Sequence, residues 1–212
     1  MKKIAGVLFI LLLFYSNVLG AEDVKKPSPA KDFKYELNKE GTGVVIEGYL
    51  GKDVEVIIPE VIKTFPVVSI DGYAFSDSGL ESITIPDSVK TIGEKAFREC
   101  ANLKTVTLGE GVERIGNYAF SSSGLESITI PDSVKVIESY AFYDCRNLKT
   151  VILGKGVEII SESAFSFCLN LTTFNILTIR KIDYGYSAFY RCPNLSDESK
   201  AKIEATGYTY GF

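Results

Sequence analysis

Four cysteines, Cys100, Cys145, Cys168 and Cys192, carry the most reactive side chains in this 212-residue sequence, and each stands three residues after a phenylalanine. Thiols so placed offer disulfides, a metal site, or thiolate attack on a substrate. Histidine is absent altogether, which removes the usual partner of a nucleophilic thiol and the commonest metal ligand. No Cys-x-x-Cys pair exists either, so a metal centre is not expected. Equivalent positions in stacked units point parallel to one another, whereas a disulfide needs sulfurs aimed at each other. The spacing therefore predicts free, buried thiols acting as small hydrophobes.

Other chemistries leave no mark. There is no nucleophile elbow, no phosphate-cradling glycine loop and no carboxylate pair at a meaningful spacing. Scattered acids such as Glu94 and Glu113 read as a solvated face. The expectation is a protein that is not an enzyme and takes no cofactor or metal.

A second group of side chains could bind rather than react. Hydroxyl residues recur in two polar rows, one of Ser82, Thr105, Ser127, Thr150 and Thr173, the other of Thr84, Thr107, Thr129, Ile152 and Asn175. Lys104 and Lys149 flank them. Threonine favours exposed strands, so a merely solvated sheet face is the plainer reading. As a site, the rows would suit protein or glycan contact, and these twelve residues are the candidate ligand-binding positions. Ile152 and Asn175 break the second row, which disfavours a lattice match to ice.

The rows exist because the chain repeats itself. Residues 76–120 align without a gap to residues 121–165 with 31 of 45 positions identical, the mark of an array of stacked units. Each block holds two smaller units marked by an Ala-Phe pair: Phe75, Phe97, Phe120, Phe142, Phe165 and Phe189 are spaced by 22, 23, 22, 23 and 24 residues. Ile83 and Ile85 alternate with Ser82 and Thr84, which predicts a short strand with one face buried. Pro86-Asp87-Ser88 then turns the chain in one unit type, and Gly109-Glu110-Gly111 or Gly154-Lys155-Gly156 turns it in the other. A second extended piece carries residues such as Val89 and Ile92 inward. One coil cannot bury its inward row alone, but coils stacked at about 4.8 Å form continuous apolar ladders.

The ends differ from the middle. Residues 1–20, with Lys2 and Lys3 before an apolar run from Ile4 to Tyr15, read as a secretory signal peptide cut after Gly20. Its removal leaves 21 basic against 27 acidic residues, an acidic balance that argues against a nucleic-acid partner. No second long apolar segment follows, so the mature chain is not expected to enter a membrane. Residues 21–32, with Pro27 and Pro29, read as a flexible leader. Residues 33–58 predict a β-hairpin cap around Glu40-Gly41-Thr42-Gly43. Residues 59–195 form the solenoid, and 196–212 a helical lid that starts at Ser196-Asp197-Glu198 and stops at Gly207.

The phrases Ala96-Phe97-Arg98-Glu99-Cys100-Ala101-Asn102-Leu103 and Leu80-Glu81-Ser82-Ile83-Thr84-Ile85-Pro86-Asp87-Ser88-Val89 closely resemble the BspA-like leucine-rich-repeat proteins. The resemblance runs from about Phe33 to the C-terminus. It implies a β-rich leucine-rich-repeat solenoid with short strands per coil, exported to the extracellular space or cell surface, with the periplasm as an alternative. It also implies adhesin-like binding of host matrix proteins, host cells or other microbes, so that host matrix or cell-surface proteins or microbial macromolecules, with glycans also suited to the hydroxyl rows, are the expected partners. A structural component that associates with its own copies is the other reading. The family supplies no fixed ligand-binding positions.

Three features remain. Ile176 to Ile179 is one residue shorter than the pattern, and Ile182 to Phe189 is seven residues where five are usual. Tyr184, Tyr186, Tyr190, Tyr208, Tyr210 and Phe212 gather near the end, where hiding the open core of the last coil is their expected role. Asn170-Leu171-Thr172 and Asn194-Leu195-Ser196 fit the glycosylation sequon, but both asparagines share a repeat column with Asn102 and Asn147, so a turn requirement explains them.

Overall fold

The computed structural model describes residues 25–212, so the expected signal peptide and its cleavage point lie outside the described residues. The chain opens with a hairpin of β1 (Phe33–Leu37) and β2 (Val44–Tyr49), then β3 (Glu55–Ile57) and a small hairpin of β4 (Val61–Ile62) and β5 (Phe65–Ile70). Five coils follow, each giving two strands: β6 (Ser82–Thr84) and β7 (Thr91–Ile92), β8 (Thr105–Thr107) and β9 (Arg114–Ile115), β10 (Ser127–Ile130) and β11 (Val136–Ile137), β12 (Thr150–Leu153) and β13 (Ile159–Ile160), β14 (Thr173–Ile176) and β15 (Asp183–Tyr184). The helix α1 (Asp197–Ala205) closes the array.

Successive coils lie in register. On one side Ser82 pairs with Thr105 and Ile83 with Val106, and further on Ser127 pairs with Thr150 and Thr150 with Thr173, all parallel. On a second side β2, β5, β7, β9, β11, β13 and β15 make one continuous ladder. The stack thus begins earlier than the expected boundary at residue 59, because β2 pairs with β5 and β3 with β6.

A third side is built without strands. Every Ala-Phe pair is flanked by two residues at φ between 52° and 62°, such as Tyr73 and Asp77, or Lys95 and Glu99, none of them glycine. The left-handed turns aim alternate N–H groups along the solenoid axis: Tyr73, Phe75 and Asp77 donate to the carbonyls of Glu94, Ala96 and Arg98 at 3.0, 2.8 and 2.8 Å. The same triplet recurs at Lys95, Phe97 and Glu99 toward Asn117, Ala119 and Ser121. Each such residue carries a conformational cost of about 1–2 kcal/mol, which the interlocked ladder must offset.

Inside, Phe75, Phe97, Phe120, Phe142, Phe165 and Phe189 form one column with ring centroids 5.0–5.6 Å apart and planes within 10°. The thiols of Cys100, Cys145, Cys168 and Cys192 are buried and unbridged, and each donates to the carbonyl of an earlier phenylalanine, Cys145 to Phe120 at 3.0 Å. Ser78 and Ser123 hold the same column in the alternate coils and sit 3.3 and 3.4 Å from the next sulfur.

The alternation of proline and glycine turns has a packing reason. A Cβ on Gly109 would lie 2.5 Å from Pro86, and one on Gly154 2.4 Å from Pro131, so the glycine coil nests on the proline coil before it. Asp87 and Asp132 then accept the Glu110 and Lys155 N–H groups at 2.8 and 2.7 Å. Two ion pairs follow the same two-coil period: Lys90 faces Glu113, and Lys135 faces Glu158.

Two expectations need correction. In the last coil the residue in the Ile160 column is Tyr184, not Ile182. Counted from Tyr184 the distance to Phe189 is the usual five residues. The irregularity is therefore confined to 177–183, where the loop puts Leu177 and Ile179 in solvent while Tyr184 takes an inward place. The leader is also less free than its composition suggests: Ala30–Asp32 forms a 3₁₀ turn and Ser28 is buried. At the far end the helix lid forms as expected, with Ser196 Oγ accepting the Ser199 N–H at 3.2 Å and Gly207 at φ 116°.

Candidate binding face

The two polar rows stand where alternation puts them, with Ile83, Val106, Ile128, Val151 and Phe174 turned inward between them. Thr105, Thr107, Ser127, Thr129 and Thr173 are exposed, and Ser82, Thr84, Thr150, Ile152 and Asn175 half-buried. Lys104 and Lys149 are exposed beside them, and Lys149 is engaged by Glu126 at 3.4 Å. Asn175 is not free, because Lys202 of α1 donates to its side-chain oxygen at 3.2 Å.

The face is divided rather than continuous. β3, β6 and β8 form one sheet and β10, β12 and β14 another, with no strand pairing between β8 and β10. The bond that crosses the step, Glu126 N–H to Lys104 O, stretches to 3.3 Å, against 2.9 Å for Lys104 to Glu81 and Lys149 to Glu126. Here a proline coil follows a glycine coil, the reverse of the nested order. A cleft of about 370 Å³ opens between Thr107 and Thr129. It reaches the core: Val106 and Leu108 are 6% and 8% exposed where their equivalents Val151 and Leu153 are 0% and 1%.

A larger cleft, about 400 Å³, lies at the N-terminal end, where Lys25–Pro29 overhangs Ser82, Thr84, Thr105 and Thr107. Sequence reasoning missed this wall because proline-rich composition says nothing of a docking partner.

Sequence reasoning also missed an aromatic band on the Ala-Phe side. Lys95 lies between the rings of Tyr73 and Tyr118, its Nζ 5.0 and 5.7 Å from their centroids. Tyr118 stacks on Tyr140 at 4.7 Å, and Tyr143, Phe167 and Tyr190 continue the band with Arg191 over the last two rings. The signal was present: Tyr73, Lys95, Tyr118 and Tyr140 all stand two residues before an Ala-Phe phenylalanine. Of the terminal tyrosines, Tyr184 and Tyr208 are buried as lids, while Tyr186, Tyr190 and Tyr210 are exposed.

Burial pushes the Cys145 thiol up to about 11 and raises Cys100 and Cys168 as well, so these three stay protonated at neutral pH. Among the described residues no group of three His, Cys, Asp or Glu is placed to hold a metal. The amides of Asn170 and Asn194 each donate at 2.7 Å to a carbonyl of the preceding coil, which fits a turn role.

Stacked coils of 22 to 24 residues, each with apolar residues at fixed stations and short parallel strands, place the chain in the class of leucine-rich-repeat solenoids. The BspA-type leucine-rich-repeat region matches residues 68–196 in six copies, and the chain belongs to that family. The leucine-rich-repeat protein of T. pallidum is similar at 31% identity and a TM-score of 0.67, over 88% of this chain and 98% of that one. A leucine-rich cell surface protein of Faecalibacterium prausnitzii is similar at 27% identity and a TM-score of 0.54, over 83% of this chain and 55% of that one. A leucine-rich-repeat protein of Bacteroides ovatus gives 27% and 0.56, over 81% and 52%. No curated protein matches. Among the described residues no helix is long and apolar enough to cross a membrane.

Proposed function

We propose that the protein is an exported binding module, displayed at the cell surface or secreted, that attaches to host matrix or cell-surface macromolecules through the face running from Ser82 to Asn175. The observation that carries this reading is the parallel register. It lays Ser82 beside Thr105 and Thr84 beside Thr107 in one sheet, and Ser127 beside Thr150 and Thr129 beside Ile152 in the other, with Thr105, Thr107, Ser127 and Thr129 in solvent on either side of the step and the backbone tied to the coils above and below. Rigid hydroxyl rows bind without a large loss of side-chain entropy, and the cleft between Thr107 and Thr129 adds a concave point where a partner's side chain can be desolvated. The description of the F. prausnitzii relative as a cell surface protein agrees with this location.

The test is a binding survey of the mature chain against immobilised matrix proteins, host-cell surfaces and glycans. Saturable binding to one class supports the reading. Concentration-dependent self-association with no response to any of them would favour a structural component instead.

A further inference from the structure

The outward face ends at β3 on one side and at β14 on the other, and a serine closes each of these outer edges. At the C-terminal edge the Phe174 N–H donates to Ser199 Oγ of α1 at 3.0 Å. At the N-terminal edge no strand lies beyond β3, and the leader takes that place. Ser28 N–H donates to Ile57 O at 2.8 Å, and Ile57 N–H donates back to Ser28 Oγ at 3.2 Å. Lys25 pairs with the Glu55 carboxylate. Pro27 and Pro29 on either side of Ser28 have no N–H, so the leader ends the sheet without inviting another strand.

This attachment is slight. Two hydrogen bonds and one solvent-exposed ion pair hold the segment, and each contributes little in water. Lys25, Lys26, Pro27 and Pro29 are exposed, and the cleft over Ser82 and Thr84 separates the rest of the leader from the face. What the leader covers is a complete strand-acceptor edge, with the Ile57 donor and acceptor both presented to one incoming residue. An extended peptide that adds to a sheet edge uses the same groups.

We propose that the β3 edge is a binding site for an extended Lys-Lys-Pro-Ser-Pro segment, and that a second copy of this chain supplies it by exchanging leaders. The occupant is argued from the edge itself, which already holds this segment in cis. Exchange remakes the Ser28–Ile57 bonds and the Lys25–Glu55 pair in trans, leaving only the cost of association. The inference goes beyond the adhesive reading, since it needs no foreign ligand.

The full mature chain carrying Ser28→Pro keeps every other residue but loses both leader bonds, which frees the edge. Titrated with a synthetic peptide of residues 25–31 and followed by amide NMR, it should show saturable shifts centred on Val56 and Ile57. The wild-type chain, whose own leader competes, should bind the peptide at least tenfold more weakly, and a peptide bearing the Ser28→Pro change should not bind. In sedimentation the wild-type chain should form a dimer at high concentration that excess peptide dissolves. A Ser28→Pro chain that melts cooperatively yet shows no shift at Ile57 would overturn the site. A wild-type chain that stays monomeric, or a dimer indifferent to the peptide, would overturn the exchange. Neither failure touches matrix binding by Thr107 and Thr129, which is read separately.

Discussion

A Cβ placed on Gly111 would stand 1.7 Å from the carbonyl oxygen of Asp87 in the coil beneath. No side chain fits there, so the glycine turn of one coil type is demanded by the proline turn of the other. Gly111→Ala should therefore cost about 3 kcal/mol or more as the coils are forced apart. Gly79, where a Cβ would meet nothing within 4 Å, is the control, and Gly79→Ala should be neutral or stabilise by about 0.5 kcal/mol. Denaturant melts of the two variants check the difference.

The phenylalanine column should behave as one core. Phe120 is fully buried between Phe97 and Phe142, with centroids 5.0 and 5.3 Å away. Phe120→Ala should lower stability by about 3–5 kcal/mol, and Tyr118→Ala, half-exposed on the same coil, by far less. Equilibrium unfolding of both variants gives the comparison.

Alkaline stability should report the buried acids. Cys145 is pushed up to about 11 and Tyr184 to about 12, both chiefly by burial, so each stays neutral in the folded chain where the unfolded chain has ionised. Their contribution is fully present below the unfolded thiol pKa of about 8.5 and erodes as pH rises through the folded values. Unfolding free energy measured at stepped pH should fall between pH 9 and 12, and less so in Cys145→Ser. At pH 8 a thiol reagent should label the native chain only at the rate of unfolding.

Much of this was legible in the sequence, because a repeat fixes columns. Once the Ala-Phe spacing was read, Phe97, Cys100 and Val106 each had a place, and the rows from Ser82 to Asn175 followed from strand alternation. What stayed hidden was set by coil-to-coil fit. The break between β8 and β10 depends on which turn type lies above which, and Tyr184 replaces an aliphatic residue that the eye seeks at Ile182. The leader's position depends on an edge at Ile57 that no local pattern announces.

The left-handed positions offer an independent check of the third side. Ser122 sits at φ 57°, and its N–H donates to Tyr143 O at 2.8 Å. Ser122→Val should destabilise by about 1–2 kcal/mol, since a β-branched residue tolerates this conformation poorly, while Ser122→Gly should be close to neutral. Thermal melts of the pair decide it.

A partner of this solenoid is expected to meet its hydroxyl face and not its aromatic side. Affinity for a matrix ligand identified in the survey should be compared between the double variant Thr107→Glu, Thr129→Glu and the variant Tyr118→Glu, each first shown to melt like the parent. A loss of at least tenfold on the hydroxyl face, with the aromatic side indifferent, is the expected result. Unchanged binding by the double variant, or a loss seen only with Tyr118→Glu, would contradict it.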